Sequence, residues 1–173
     1  KMKGQIKSDI WGRFPEESLM GEVYFLRHML AHAQQRVVCF VSDAFLFRTA
    51  GGERLFKEDV IDNNWLEGVI ALPSGLLNHT SISVNALVFN KTRPNRYIKF
   101  LNASSDAFIE KLSKARGRLR NAELILKEFT SHSDGDNCTS VKPEKVFENE
   151  CNLSPARYVK SGADKKFAAF MSH

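Results

Sequence analysis

The chain has 173 residues, of which 43% are hydrophobic and 26% are charged, as in an ordinary globular protein with one buried core. Its net charge of +5 permits a polyanionic partner such as nucleic acid, although many solvated surfaces carry the same surplus. No apolar run is long enough to span a bilayer, and the three cysteines have neither metal-ligand spacing nor the even number of a disulfide framework. We therefore expect a cytoplasmic protein with no membrane contact and no metal site.

The first predicted helix covers residues 17–34, and a strand follows it. Pro15 and the acidic residues after it favour a helix start, because Pro is tolerated in the first turn and carboxylates complement the positive end of the helix dipole. An apolar face then recurs at alternating spacings of four and three, at Leu19, Val23, Leu26, Leu30 and Ala33. Residues 36–42 are apolar at consecutive positions, which predicts a strand buried on both faces.

A second helix and two further strands are predicted over residues 51–89. Gly51 and Gly52 indicate a turn, residues 53–63 a helix, and residues 66–72 a second apolar strand. A strand, a helix and a strand in succession favour a parallel pair. Only about eleven residues separate the second strand from the third, at 84–89, so the third strand is expected to return antiparallel. The predicted sheet is therefore parallel with an antiparallel strand near its end.

The chain from residue 103 onward is predicted to be mostly helical. An alternating, more exposed strand over 96–101 is followed by helical patterns over 104–112 and 115–130, and by a short helix over 142–149 after a polar loop. A basic run in this part consists of Lys111, Lys114, Arg116, Arg118 and Arg120. A solvated helix face is the ordinary interpretation of such a run, and contact with phosphates is the alternative.

A polar loop between two apolar strands is the main candidate for a functional segment. The strands can hold it rigidly at the edge of a sheet, and its polar residues include Pro73, Ser74, Asn78 and Thr80. Asp43 follows the strand at 36–42, where open α/β sheets place ligands, although a helix cap or a turn is an equally good role. No phosphate-binding glycine loop, nucleophile elbow or His-Glu-x-x-His zinc motif occurs in the sequence.

Most of the chain resembles the C-terminal part of the adenine-specific DNA methylase domain in the modification subunit of type I restriction–modification systems. Residues 21–32 (GEVYFLRHMLAH) resemble the helix after that family's catalytic loop, and residues 36–48 (RVVCFVSDAFLFR) resemble its fifth strand and the exit from it. Residues 51–75 and 80–91 resemble the helix, strand and hairpin that follow. Residues 146–159 (VFENECNLSPARYV) resemble the family's closing signature, which ends in Arg-Tyr-Val.

The resemblance implies an α/β fold. Residues 1–102 would form the late part of a Rossmann-like class I methyltransferase sheet, with parallel strands plus an antiparallel last strand, and residues 103–173 a helical C-terminal extension. The family binds S-adenosylmethionine through a glycine loop and holds the target adenine with an Asn-Pro-Pro-aromatic loop, and neither loop occurs here. We therefore expect no catalytic residue in this chain and no S-adenosylmethionine binding by it alone. It resembles a fragment that begins just downstream of the catalytic loop.

The implied function belongs to an intact subunit that transfers a methyl group from S-adenosylmethionine to adenine in DNA, together with specificity and restriction subunits. The residues expected on the target-base or DNA side are Asp43, Phe47, Arg48, Pro73, Ser74, Asn78 and Thr80. Residues 104–130 are expected to pack against partner helices. The strand edge at 36–42 would lack its neighbour, which predicts self-association. The alternative is a non-catalytic interaction or DNA-associated module, derived from a degenerate methylase.

Overall fold

A five-stranded mixed sheet forms the centre of the fold in a computed structural model, which describes residues 9–16, 18, 21–77, 80, 82–113 and 116–159. The strands in chain order are β1 (Arg36–Ser42), β2 (Leu66–Ala71), β3 (Val84–Asn90), β4 (Ile98–Asn102), β5 (Ile109–Ser113), β6 (Arg116–Leu119) and β7 (Cys138–Val141). The main sheet has the order β1-β3-β2-β4-β7, and β5 pairs with β6 in a separate hairpin.

Helices cover both faces of the sheet. The helices are α1 (Gly21–His32), α2 (Asp43–Phe47), α3 (Gly51–Asp62), α4 (Ala122–Thr130) and α5 (Pro143–Glu148). Successive strand residues point to opposite faces, so Phe100 packs in a core with the first three helices and α5, whereas Leu101 packs in a second core beneath α4. The hairpin contributes Leu119 to the edge of that second core.

β3 lies between β1 and β2 and is antiparallel to both, as the pairings Cys39↔Leu87 and Val69↔Leu87 show. The antiparallel return of the third strand is confirmed. The parallel direction of the first two strands is also confirmed, because β1 and β2 are each antiparallel to β3. They are not neighbours in the sheet, since β3 lies between them. β3 is buried along almost its whole length, as expected of an inner strand, whereas the burial of β1 alternates. The parallel neighbour of β2 is β4.

β1 forms an end of the sheet, and β3 is its one strand partner among the described residues. It was predicted to be buried on both faces, but Val38 is 49% exposed and Phe40 is 66% exposed, because α4 covers the far side of the sheet and does not reach this strand. The opposite error occurred at β4, which was expected to be more exposed. It is buried because it lies between β2 and β7.

The helices predicted over 104–112 and 115–130 are only partly present. A 3-10 turn (Asp106–Phe108) leads into the β5–β6 hairpin, and α4 does not begin until after Asn121, whose left-handed backbone (φ 52°) interrupts any longer helix. Residues 103–159 therefore do not form the helical extension that was predicted, because they contain strands as well as helices. This part of the chain also returns to the main sheet, since β7 pairs with β4. The domain boundary at residue 102 stays a prediction.

The other elements agree with their predicted ranges except at their ends. The helix predicted over 53–63 begins two residues earlier, so the two glycines predicted to form a turn instead open α3. α1 covers residues 21–32 of the helix predicted over 17–34, whereas residues 18, 33 and 34 are not helical and residues 17, 19 and 20 lie outside the described residues. The short helix near residue 143 is confirmed, with Pro143 in its first turn.

A buried ion cluster joins α1 to α3. The Arg27 guanidinium donates to Glu16 Oε1 at 2.8 Å and to Asp59 Oδ2 at 2.5 Å, and it lies 4.9 Å from the centre of the Phe56 ring. The C-terminal signature packs on the same face, where the Tyr158 ring stacks on Phe100 at 4.0 Å between ring centres. These contacts join α1 to α3 and hold the C-terminal signature against the sheet.

Candidate functional site

The carboxyl ends of β1, β2 and β4 meet at one edge of the sheet, where β3 begins. The register places Ser42 beside Val84, and Ala71 beside both Asn85 and Asn102. Ligands of open α/β sheets bind beyond the carboxyl ends of the strands. We call this margin the carboxyl edge and the other margin the opposite edge.

A buried amide connects the carboxyl edge to the start of α2. Asn85 is 2% exposed and donates through Nδ2 to Asp43 Oδ1 at 2.7 Å. Because Asn85 also faces Val41 in β1 and Ala71 in β2, it holds Asp43 over the junction of three strands. Sequence reasoning found Asp43 and missed Asn85. Its signal was a single amide inside an otherwise apolar strand.

A helix cap was one of the roles considered for this strand end, and Ser42 has that role. Its hydroxyl accepts from the Phe45 amide at 3.4 Å, which caps α2. Its own amide donates to Glu22 Oε1 at 2.9 Å, so a carboxylate from α1 fixes the exit of β1. Glu22 was not predicted, since its partner is twenty residues away in the chain.

Phe47 and Arg48 lie at the other end of α2, about one helical turn from Asp43. Phe47 is 54% exposed, and the Arg48 side chain is exposed and forms no ion pair within the described residues. Below them, Lys57 is fully buried and donates through Nζ to the carbonyls of Leu46 at 2.8 Å and Arg48 at 2.6 Å. Burial lowers the pKa of Lys57 to about 8. The buried ammonium therefore fixes the end of the helix that presents Phe47.

The loop after β2 begins at the same edge with Leu72 and Pro73. Pro73 is buried, Ser74 is exposed, and Gly75 has a positive φ of 81° that a side chain would strain. Thr80 is half-buried, and its hydroxyl accepts from the Ile82 amide at 3.1 Å, a local turn contact. Asn78, the fourth predicted loop residue, lies outside the described residues.

The β5–β6 hairpin touches this loop directly, a contact that the sequence did not predict. The Gly117 amide donates to the Gly75 carbonyl at 2.8 Å. A hollow of about 340 Å³ lies between Leu76 of the loop and the side chains of Leu112, Arg116 and Arg118. Arg116 and Arg118 of the basic run are thereby brought to the carboxyl edge as part of β6.

A wider groove of about 1120 Å³ lies away from the predicted residues, at the opposite edge of the sheet. It is bordered by Arg36, Arg93 and Tyr97 and by the exposed side of α4. None of the residues predicted to act on a base or DNA lines it.

Three features of the described part of the chain concern metal ligands, thiols and membrane-spanning helices. No group of three or more His, Cys, Asp or Glu side chains there is placed to hold a metal ion. Burial raises the pKa of the Cys39, Cys138 and Cys151 thiols to about 11, so these thiols stay protonated at neutral pH. None of the helices described is long and apolar enough to cross a membrane.

Comparison with known proteins gives the chain a family. The profile of the N-6 DNA Methylase family matches residues 3–167. The chain belongs to this family. It is 32% identical over 131 residues to the type I restriction enzyme MpnII methylase subunit of Mycoplasma pneumoniae, a match that covers 75% of this chain and 24% of that protein. It is 26% identical over 136 residues to the MjaVIII methylase subunit of Methanocaldococcus jannaschii, which covers 74% of this chain and 23% of that protein.

Solved structures of the N-6 DNA methylase type have the same fold. The type I restriction–modification methyltransferase subunit from Streptococcus thermophilus superposes with a TM-score of 0.80 at 25% identity, over 92% of this chain and 34% of that one. A modification subunit of a type I restriction enzyme from Vibrio vulnificus gives a TM-score of 0.56 at 16% identity, over 72% of this chain and 28% of that one. The family member described here therefore spans about a quarter of the curated relatives and about a third of the first solved chain.

We predict that Asn85 and Asp43 stabilise the fold as a pair. Asn85→Ala should lower the free energy of unfolding by about 1–3 kcal/mol, because it leaves the Asp43 carboxylate without its buried donor. In a double-mutant cycle with Asp43→Ala, measured by urea unfolding, the two losses should be less than additive by about 1 kcal/mol.

Gln35→Ala is the matched control, since this amide is exposed and should change the free energy of unfolding by less than about 0.5 kcal/mol. Strictly additive losses at Asn85 and Asp43 would contradict the structural role assigned to this bond.

Proposed function

We propose that this chain is part of a type I restriction–modification methylase subunit, which methylates adenine in DNA with S-adenosylmethionine as donor. The observation that carries the proposal is the superposition on the Streptococcus thermophilus methyltransferase subunit over 92% of the chain. The family membership and the 32% identity to a methylase subunit support it. In this proposal the sheet is the late part of a Rossmann-like methyltransferase sheet.

The carboxyl edge would form part of the target-base or DNA side of the intact subunit. Enzymes that modify a base in duplex DNA flip it out of the stack and hold it between aromatic or apolar side chains. Phe47 offers an exposed ring at the C-terminal end of α2, and buried Lys57 fixes this end of the helix. Ser74 adds an exposed hydroxyl after β2, and Asp43, Arg48, Pro73, Asn78 and Thr80 are proposed to shape the same side.

We infer that the described residues do not form a donor pocket by themselves. The buried polar groups at the carboxyl edge already bond to one another, as in Asn85 to Asp43 and Ser42 to Glu22. The one buried side-chain oxygen without a hydrogen bond among the described residues is Glu16 Oε2, which belongs to the ion cluster of α1 and α3. The proposal therefore leaves the glycine loop and the Asn-Pro-Pro-aromatic loop to a different segment of the intact subunit.

The second candidate function is a non-catalytic interaction module, favoured by the lack of both loops in this sequence. The two functions differ in what the same reading frame encodes upstream. Both loops in frame upstream would support the methylase, whereas a stop codon or an unrelated domain there would contradict it. The methylase proposal includes a specificity subunit and a restriction subunit as partners, and residues 104–130 as a surface for partner helices.

We predict that this chain alone does not bind S-adenosylmethionine. Alignment of the methyl donor with the target amino group requires a donor pocket, and this sequence lacks the glycine loop through which the family is expected to bind the donor. Isothermal titration calorimetry should give only heats of dilution. Saturable heat would contradict the assignment of the donor loops to another segment.

We predict that the chain self-associates through β1. Among the described residues, β1 has a strand neighbour on one side only, and it exposes Val38 and Phe40, a combination that favours pairing between chains. The sedimentation coefficient should rise with protein concentration. A monomer at all concentrations, with the β1 amides protected from hydrogen exchange, would show that another part of the chain covers this edge.

We predict that Phe47→Ala lowers methylation by the intact subunit by about 5- to 150-fold without lowering donor affinity. Base–aromatic stacking is worth about 1–3 kcal/mol per base, and Phe47 lies on the proposed base side. Methyl incorporation into duplex DNA and donor binding by calorimetry measure the two effects separately.

Phe25→Ala is the matched control, because Phe25 is 62% exposed on α1 and should leave methylation unchanged. Equal turnover of the Phe47 variant and the wild type would exclude Phe47 from the base side. An equal loss of methylation in both variants would indicate that the substitutions act by destabilising the protein.

A further inference from the structure

The β5–β6 hairpin presents three exposed arginines. Arg116 and Arg118 lie on β6 and Arg120 directly follows it, all three are exposed, and none forms an ion pair within the described residues. By contrast, the neighbouring Lys111 pairs with Asp106 at 3.0 Å. Lys114 lies outside the described residues. The hairpin therefore concentrates positive charge, although Glu110 lies opposite Arg118 in its register.

Strand geometry directs two of these arginines to one side. Residues two apart on a strand share a face, so Arg116 and Arg118 point alike while Leu119 packs against the second core. Their spacing is about 6.6 Å along the strand, since each residue rises by about 3.3 Å. This separation lets the two long side chains reach neighbouring phosphates of one DNA strand.

The hairpin is held in a fixed place beside the carboxyl edge. Gly117 donates to the Gly75 carbonyl, and a Cβ at Gly117 would lie 2.3 Å from Ile109 Cδ1, so a side chain at this position would displace Ile109. At the base of the hairpin, the Arg120 amide donates to the carbonyl of buried Phe108 at 2.8 Å. The arginines are thus positioned by the backbone next to the loop that carries Ser74.

We propose that the β5–β6 hairpin is a phosphate-contacting element that binds the DNA backbone next to the carboxyl edge. The inference rests on the proposed function, which makes duplex DNA the substrate. Exposed arginines that neutralise phosphates release counterions and position a duplex without reading its sequence. The hairpin would hold the backbone while Phe47 and the loop after β2 meet the target base.

The experiment compares two triple variants of the chain for binding to a fluorescein-labelled duplex. The hairpin variant carries Arg116→Gln, Arg118→Gln and Arg120→Gln. The control variant carries Arg36→Gln, Arg96→Gln and Lys142→Gln, three exposed positions at the opposite edge, next to the starts of β1 and β4 and the end of β7. Both variants lose three positive charges, and they differ in position and in the ion pair of Arg36 with Glu67, which the control variant also removes.

Fluorescence anisotropy between about 50 and 200 mM salt measures the binding constant and its salt dependence. We expect wild type to bind, and the slope of log K against log salt to shrink by about 2–3 in the hairpin variant, since each phosphate contact contributes about 0.9. The control variant should keep the wild-type slope. Replacing the three hairpin arginines by lysine should restore most of the slope, and equal unfolding midpoints by circular dichroism establish that all variants are folded.

Three results would overturn the proposal: no saturable binding of wild type to the duplex, equal loss of slope in both triple variants, or equal slopes in wild type and the hairpin variant. Binding to polyglutamate as tight as binding to the duplex would also overturn it, and would identify an acidic protein surface as the partner. A negative result in this DNA-binding assay would overturn the role of the hairpin alone. The proposed methylase function is tested separately, by methylation with the Phe47 variant, which keeps the hairpin arginines.

Discussion

The position of β3 between β1 and β2 is the constraint on which the rest of the structure depends. β3 is antiparallel to both neighbours, so β1 and β2 run in the same direction. Their carboxyl ends therefore lie at the same margin of the sheet, on either side of the start of β3. Asn85 sits at this junction and bonds to Asp43 at the start of α2. Had β1 and β2 been adjacent, no buried amide of β3 would lie between their ends. The strand order therefore determines which residues share the candidate site.

Two supports on opposite sides of the sheet fix what this edge presents. On the side of the helices, buried Lys57 and the cap at Ser42 fix both ends of α2, and thereby the exposed ring of Phe47. On the other side, the β5–β6 hairpin touches the loop after β2 through Gly117 and Gly75. An aromatic ring, a polar loop and a basic strand consequently surround one margin. This combination suits the proposed binding of DNA and of an extruded base.

The sequence predicted the local elements well and their arrangement less well. The strands at 36–42, 66–72 and 84–89 and the helix at 53–63 were found because apolar runs and periodicity are local signals. Pairing order, the exposure of β1 and the return of β7 to the sheet depend on contacts between distant residues, which one sequence does not display. The hairpin was mistaken for a helix because its apolar residues also fit a helical spacing. The closely packed Gly117 and left-handed Asn121 decide between the two only in the folded chain.

The candidate site was predicted in outline from strand ends and a polar loop, and its function came from family resemblance. Asp43, Pro73 and Ser74 lie at the carboxyl edge, as residues after strand ends should. Asn85 and Glu22 were missed because each acts through a partner on another element. The family match over residues 3–167 agrees with the resemblance, whereas the roles of individual residues remain proposals.

The most direct test of the central claim is hydrogen–deuterium exchange of this chain with and without duplex DNA. We predict slower exchange on DNA binding in peptides covering residues 72–77 and 109–119, and no change in peptides covering residues 91–97 at the opposite edge. Protection confined to the opposite edge, or no protection in either region, would contradict the assignment of the carboxyl edge as the DNA side.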